Sequence, residues 1–388
     1  MRSEKTQETG LEPGLSPVAS NVVRLRTDRG FTQKELATKA GISRVALGRI
    51  EKGEVSPRAE TLGLIAKALK ADVAELVTPA MPLHGVRFRA AKRVNSREQI
   101  LAEVSRWLRS YRWLELELGE TEPFALHSLV GGGHTPEEMA LQARAKLPLQ
   151  RPEAIRDICG LLEDNGVKVL LVQKMTDAFF GLSVAPGEFG PAVVVNTWDR
   201  ISVERWIFTA AHELGHLLLH REAYNGHVAE QPEAEEREAD RFASHFLMPE
   251  AGFEAEWEQT RGLPLLLRVL KVKRMFRVSY KTVLYRLVET EREPVDAWRQ
   301  FQLQHKQRFG TTLRKIEEPA RLAEGEFRLD WNRAGEPDGL SKSDFVQDRL
   351  SRLVRKALEK HVISLSRAAE ILQISRDEMR DLSTSWGR

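Results

Sequence analysis

Cysteine is almost absent: Cys159 is the only one in 388 residues. A lone thiol excludes an intramolecular disulfide framework and any zinc knuckle built from several cysteines. Long apolar runs are missing too. None approaches the roughly 20 residues that a membrane helix needs, so no membrane partner is expected. Met1 to Pro17 is polar and lacks the apolar stretch of a secretory signal, which makes the reducing cytoplasm the expected compartment. Nor does one sign of charge dominate. Lys plus Arg number 59 against 56 Asp plus Glu, a net charge of +3. That excludes a uniformly basic nucleic-acid coat while leaving room for a local basic face. With 41% hydrophobic and 30% charged residues the chain has an ordinary folded balance, and its length suggests two or three domains.

Texture changes along the chain mark the boundaries. Residues 1–17 read as a flexible tail. Residues 18–78 show short amphipathic helices separated by Gly and Ser, up to a Pro-interrupted linker at Thr78–Pro82. Residues 83–150 read as a mostly helical connector, broken at Gly131–Gly133. Residues 151–290 are mixed, with strands expected at Val167–Val172 and Ala192–Val195. Long helices are expected from about Ile201 to Arg221 and from about Glu233 to Met248. A connector over 291–340, with a loop from about Glu318 to Leu340, leads to a helical C-terminal unit over 341–388.

The segment Phe31–Gly53 has a helix-turn-helix layout. Thr32 can cap a first helix, and Glu35 three residues on completes a capping box. Gly41 suits the tight turn, and Ser43 can cap the second helix. Val45, Leu47 and Ile50 are expected to anchor that helix. Arg44, Ala46 and Arg49 then face outward near its N-terminus, where base edges are read, and Gln33 sits where it can meet a phosphate. Asn21 to Val77 carries eleven Lys or Arg and seven Asp or Glu, a local net of +4. A plain helical bundle used for protein contact is the alternative. The string resembles the lambda-repressor-like, or XRE, helix-turn-helix family. That resemblance implies binding to a double-stranded DNA operator, commonly palindromic, by a homodimer, with Gln33, Ser43, Arg44, Ala46 and Arg49 as contact residues.

The central signal is His212-Glu213-Leu214-Gly215-His216. On a helix His212 and His216 lie one turn apart, so both imidazoles can converge on one cation. Glu213 stands beside them as a general base, the arrangement of zinc peptidases. Gly215 lets another element approach closely. In an otherwise apolar helix these polar groups need a partner, and a metal ion is the natural one. About 20 residues on, Glu236 and Asp240 share one face of a second helix. Glu236 can complete a His₂Glu set, and Asp240 can fix a histidine tautomer; Glu235 and Glu238 are alternative ligands. His220 extends the histidine row and suits a helix-end or packing role. His227 suits a loop, and His245 a buried hydrogen-bonded position. Tyr280 and His245 are candidates for stabilising an oxyanion.

HELGHLLLH followed by EEREADRFASHFLMP resembles the ImmA/IrrE metallopeptidase family over about residues 150–290. The resemblance implies a gluzincin-like fold, Zn²⁺ held by His212, His216 and Glu236, Glu213 as base, and a repressor or antitoxin protein as substrate. Family members of minimal size act on a separate repressor, whereas this chain carries its own helix-turn-helix, so the chain itself is a second candidate substrate. If Ala192–Asn196 is an edge strand, an extended peptide can pair with it. Leu365–Met379 again has a helix-turn-helix order. Its acidic Asp377 and Glu378 favour a docking or dimerisation unit instead. The expected fold is multidomain and mainly α, with an α+β zinc-peptidase core and an N-terminal all-α helix-turn-helix bundle. The expected function is a DNA-binding zinc endopeptidase acting as a transcriptional or stress-response regulator. The alternative is a non-proteolytic repressor or antitoxin whose peptidase-like domain senses a ligand, metal or partner.

Overall fold

The computed structural model describes residues 16–69, 71, 73–77, 86–90, 97–149, 152–176, 178–187, 189–224, 232–292, 296–313 and 340–387. The described chain divides into two compact units. The first comprises residues 1–82 and 95–105, the second residues 83–94 and 106–388.

The first unit is helical: α1 (Pro17–Asp28), α2 (Gln33–Ala40), α3 (Arg44–Glu51), α4 (Ala59–Leu69) and α5 (Val73–Val77). α1, α2 and α3 begin where short polar side chains satisfy free backbone N–H groups. Ser16 caps α1 ahead of Pro17, and Thr32 and Glu35 form the reciprocal capping box of α2. Gly41 closes α2 at φ 67°, a left-handed conformation that a side chain would resist, and so turns the chain into α3. Leu36, Leu47, Ile65 and Leu69 are fully buried in its core. Each contributes about 1.5–3 kcal/mol of transfer free energy. Arg26 pairs with the buried Glu51 at 2.5 Å, tying α1 to α3.

The second unit is built around a four-stranded sheet of β1 (Val86–Ala90), β2 (Lys168–Val172), β3 (Phe179–Val184) and β4 (Ala192–Asn196), in the order β1-β3-β4-β2. β2 and β4 run parallel; the other pairings are antiparallel. Two of these strands were expected from sequence. β1 lies in the segment that reads as helical connector, and β3 is a strand the sequence pattern does not predict, although Phe-Phe-Gly-Leu-Ser-Val is rich in β-forming types. β4 is an inner strand, flanked by β3 and β2, so it has no free edge for a peptide.

The other helices are α6 (Arg97–Leu118), of which residues 106–118 belong to this unit, α7 (Pro136–Lys146), α8 (Ile158–Glu163), α9 (Val203–Leu219), α10 (Glu233–Leu247), α11 (Glu250–Gln259), α12 (Leu265–Phe276), α13 (Tyr280–Glu289), α14 (Ala297–Phe309), α15 (Arg349–Glu359), α16 (Leu365–Leu372) and α17 (Arg376–Trp386). Thus α14 occupies part of the span read as connector, while the loop expected from Glu318 lies outside the described residues up to position 339. α9 packs on β3 and β4 and is buried on every face from Trp206 to Leu218. Gly181 allows this approach: a Cβ there would meet Thr209 Cγ2 at 2.6 Å. Gly215 does the same for α10, since its Cβ would lie 2.9 Å from the Phe242 ring. Two buried arginines hold the far end of α10. Arg144 donates to Phe246 O at 2.8 Å, and Arg286 donates to Met248 O at 3.3 Å. Their charges also suit the negative end of the helix dipole.

Candidate metal centre and nucleic-acid surface

His212 and His216 project from the same face of α9, and Glu236 meets them from the first turn of α10. One ligand atom from each lies within 4.8 Å of the others, so the three can grip one ion. The Glu236 carboxylate is 3.4 Å from His212 Nε2 and 3.2 Å from His216 Nε2.

The outer nitrogens are all engaged. His212 Nδ1 is 2.8 Å from Asp240 Oδ1. His216 Nδ1 is 2.9 Å from His220 Nδ1, and His220 Nε2 is 2.8 Å from Glu238 Oε2. Burial pushes the His216 and His220 imidazoles below their ordinary range, in His220 against the pull of Glu238. With His216 and His220 neutral, their proton assignment follows. His220 Nε2–H donates to Glu238, His216 Nδ1–H donates to His220, and His212 Nδ1–H donates to Asp240. His216 Nε2 is left as a lone pair, and the Nε2 atoms of both ligand candidates face the Glu236 carboxylate, buried and without a hydrogen bond. Two imidazole nitrogens and a carboxylate converging in one buried site fit a cation, and histidines whose far nitrogens are engaged are what a metal site requires. Glu238 therefore stands behind His220. Glu235 is drawn away from the triad to Arg87, with which it forms a salt bridge.

Glu213, fully buried next to His212, accepts a 2.7 Å hydrogen bond from Ser183 Oγ on β3. Ser183 in turn accepts from Tyr224 Oη at 2.9 Å. Tyr224 ends a 3-10 turn after α9, and burial pushes its phenol well above the ordinary range. Sequence reading did not find Ser183, Tyr224 or Arg87, because their partners are distant in the chain. Tyr280 stacks on Phe301, and His245 faces Glu289 at 3.7 Å, contacts unconnected with the triad. His227 lies outside the described residues.

In the first unit, α3 presents Arg44 and Arg49 to solvent and leaves Ala46 half-buried. Ser43 is exposed, and its hydroxyl accepts from Ala46 N at 3.0 Å as the cap. Gln33 is half-buried and donates to Glu51 at 2.7 Å, so its amide is partly spent on holding α2 to α3. Leu47 and Ile50 are buried as expected. Val45 is not: it is 73% exposed. The three-residue step from Leu47 to Ile50 marks the core side, and Val45 falls outside that stripe.

The two units thus define a helix-turn-helix regulator joined to an α/β domain with a His-Glu-His-Glu constellation. Residues 23–76 match the family described as helix-turn-helix, and residues 162–288 match the IrrE N-terminal-like domain. Over 62 residues the chain is 42% identical to an uncharacterized HTH-type transcriptional regulator, y4dJ, of Sinorhizobium fredii, covering 16% of this chain and 80% of that protein. It is 28% identical to the restriction-modification controller protein C.AhdI from Aeromonas hydrophila, over 16% of this chain and 91% of that one, with a TM-score of 0.15. The gene regulator ClgR from C. glutamicum is 32% identical over 17% and 86%, with a TM-score of 0.16. The chain belongs to the helix-turn-helix transcriptional regulators and carries an IrrE-like domain. Among the described residues, no helix is long and apolar enough to cross a membrane.

Proposed function

We propose that this protein is a DNA-binding zinc endopeptidase that regulates transcription or a stress response by cleaving a repressor or antitoxin partner, or itself. The observation that carries the reading is the convergence of the two bare Nε2 atoms and the Glu236 carboxylate beside Glu213. His212, His216 and Glu236 would hold the ion, and Asp240 orients His212. Zinc bound there would supply Lewis-acid polarisation of a peptide carbonyl and activation of water. Glu213 takes the proton from the attacking water and passes it to the departing amine. Ser183 holds one Glu213 oxygen at 2.7 Å and so fixes the carboxylate beside His212. Arg44 and Arg49, with Ser43, Ala46 and Gln33 around them, face the operator, and a homodimer matches a palindromic site. The cytoplasm, where operator and repressor both reside, is the compartment this reading implies.

The test is metal content together with cleavage. Wild-type protein binds about one zinc per chain, and His216→Ala and Glu236→Ala lose it. Glu213→Gln keeps zinc and DNA binding but loses proteolysis and biological output. The match to a transcriptional regulator favours a second reading, a repressor whose IrrE-like domain senses a ligand, metal or partner. Full biological output from Glu213→Gln would select it.

A further inference from the structure

β3 is the strand nearest the catalytic apparatus, since its Ser183 holds Glu213. Its outer edge is the natural place for an extended peptide to add as a strand. That edge is filled by this chain's own β1, which pairs antiparallel with Arg87 opposite Ser183 and Phe88 opposite Leu182. β2, β3 and β4 lie inside the region matched to the IrrE-like domain, whereas β1 comes from more than 70 residues upstream of it.

Arg87 is the contact that distinguishes this strand. Its side chain is 3% exposed, forms a salt bridge to Glu235, and lies 3.6 Å from Glu236. Its Nε and Nη2 nonetheless make no hydrogen bond. What holds the guanidinium is the pair of carboxylates it faces, Glu235 and Glu236. Resting on the peptidase reading above, we infer that the β3 edge is the substrate-binding edge and that it selects an extended peptide with a basic side chain facing Glu235. β1 is the built-in occupant of that site, so a substrate must displace it.

The experiment uses full-length Glu213→Gln protein and a labelled synthetic peptide spanning residues 83–94 of this chain, with binding read by fluorescence anisotropy. Adding Arg87→Ala to the protein loosens β1 and tightens peptide binding at least tenfold. A peptide with Glu in place of Arg87 loses at least tenfold. A Val86→Cys, Val184→Cys protein, cross-linked across the β1–β3 register, binds no peptide until reduced. Equal binding to the locked and reduced forms, or equal binding of the Arg and Glu peptides, overturns the inference. Should Arg87→Ala unfold, the locked and reduced comparison still decides. None of these readouts needs hydrolysis, and zinc content measured alongside reports separately on the peptidase reading.

Discussion

His220 donates to Glu238 and receives the Nδ1–H of His216, so it sets the tautomer of one candidate ligand without touching the ion site. Removing such an outer partner commonly weakens metal binding about 10–100-fold. His220→Ala is therefore expected to fold and to bind zinc about that much more weakly, measured by competition with a chelator. Unchanged affinity would reduce His220 to a helix cap. On α3, Val45 stands beside Arg44 in the first turn of the helix, the end proposed to face DNA. An exposed methyl pair there suits the thymine methyl in the major groove. Selection from random DNA is expected to return a T at one operator position for wild type and to lose that preference with Val45→Ser. The sequence pattern placed Val45 inside because valine is apolar. Only the packed bundle shows which face α3 turns to solvent.

At the scale of elements, the site depends on how closely two helices and one strand approach. His212, His216 and Glu213 ride on α9, Glu236 and Asp240 on α10, and Ser183 on β3. Gly215 and Gly181 set the two spacings. Gly215→Ala places a Cβ 2.9 Å from the Phe242 ring in a filled core. Such overpacking costs about 1–3 kcal/mol, so a lower thermal midpoint is expected. Zinc affinity should fall with it, because α10 carries Glu236, the candidate carboxylate ligand. A variant as stable as wild type, with full zinc binding, would show that α10 can shift without harm. The close approach at Gly215 was legible in the sequence, since a glycine in the middle of a histidine-bearing helix has little other use. That α10 fills the space, and that Gly181 matters for β3, was not, because neither neighbour is local.

Across the whole second unit, the C-terminal helices are secured through buried charge. Arg349 donates to Glu115 at 2.8 Å, and Glu163 accepts the backbone N–H groups of Asp348 and Arg349, both at 3.1 Å. Burial outweighs those two donors and pushes the Glu163 carboxyl up to about 7. The native state therefore holds a proton that the unfolded chain releases near pH 4.5. Stability should fall as pH rises from about 4.5 to 7 and then level off, by about 3 kcal/mol from this group. Glu163→Gln, which keeps an acceptor but cannot ionise, is expected to lose that slope in urea titrations at pH 5 and pH 7.5. An identical slope in the variant would assign the effect to other groups.

Spacing along a helix is a local property, so sequence alone determined which residues of α9 share a face, where the helices of the first unit start and stop, and that two families of domain are joined here. Thr32, Gly41, His212 and His216 all speak through neighbours within four positions. Tertiary structure decided what depends on residues far apart. It chose Glu236 over Glu235 and Glu238 for the place beside the histidines, since Glu235 turns to Arg87 and Glu238 to His220. It set β4 inside the sheet and laid β1 along β3. Strand order and ion-pair choice are resolved by the packing of distant segments, and no periodicity in a chain records which segment will arrive.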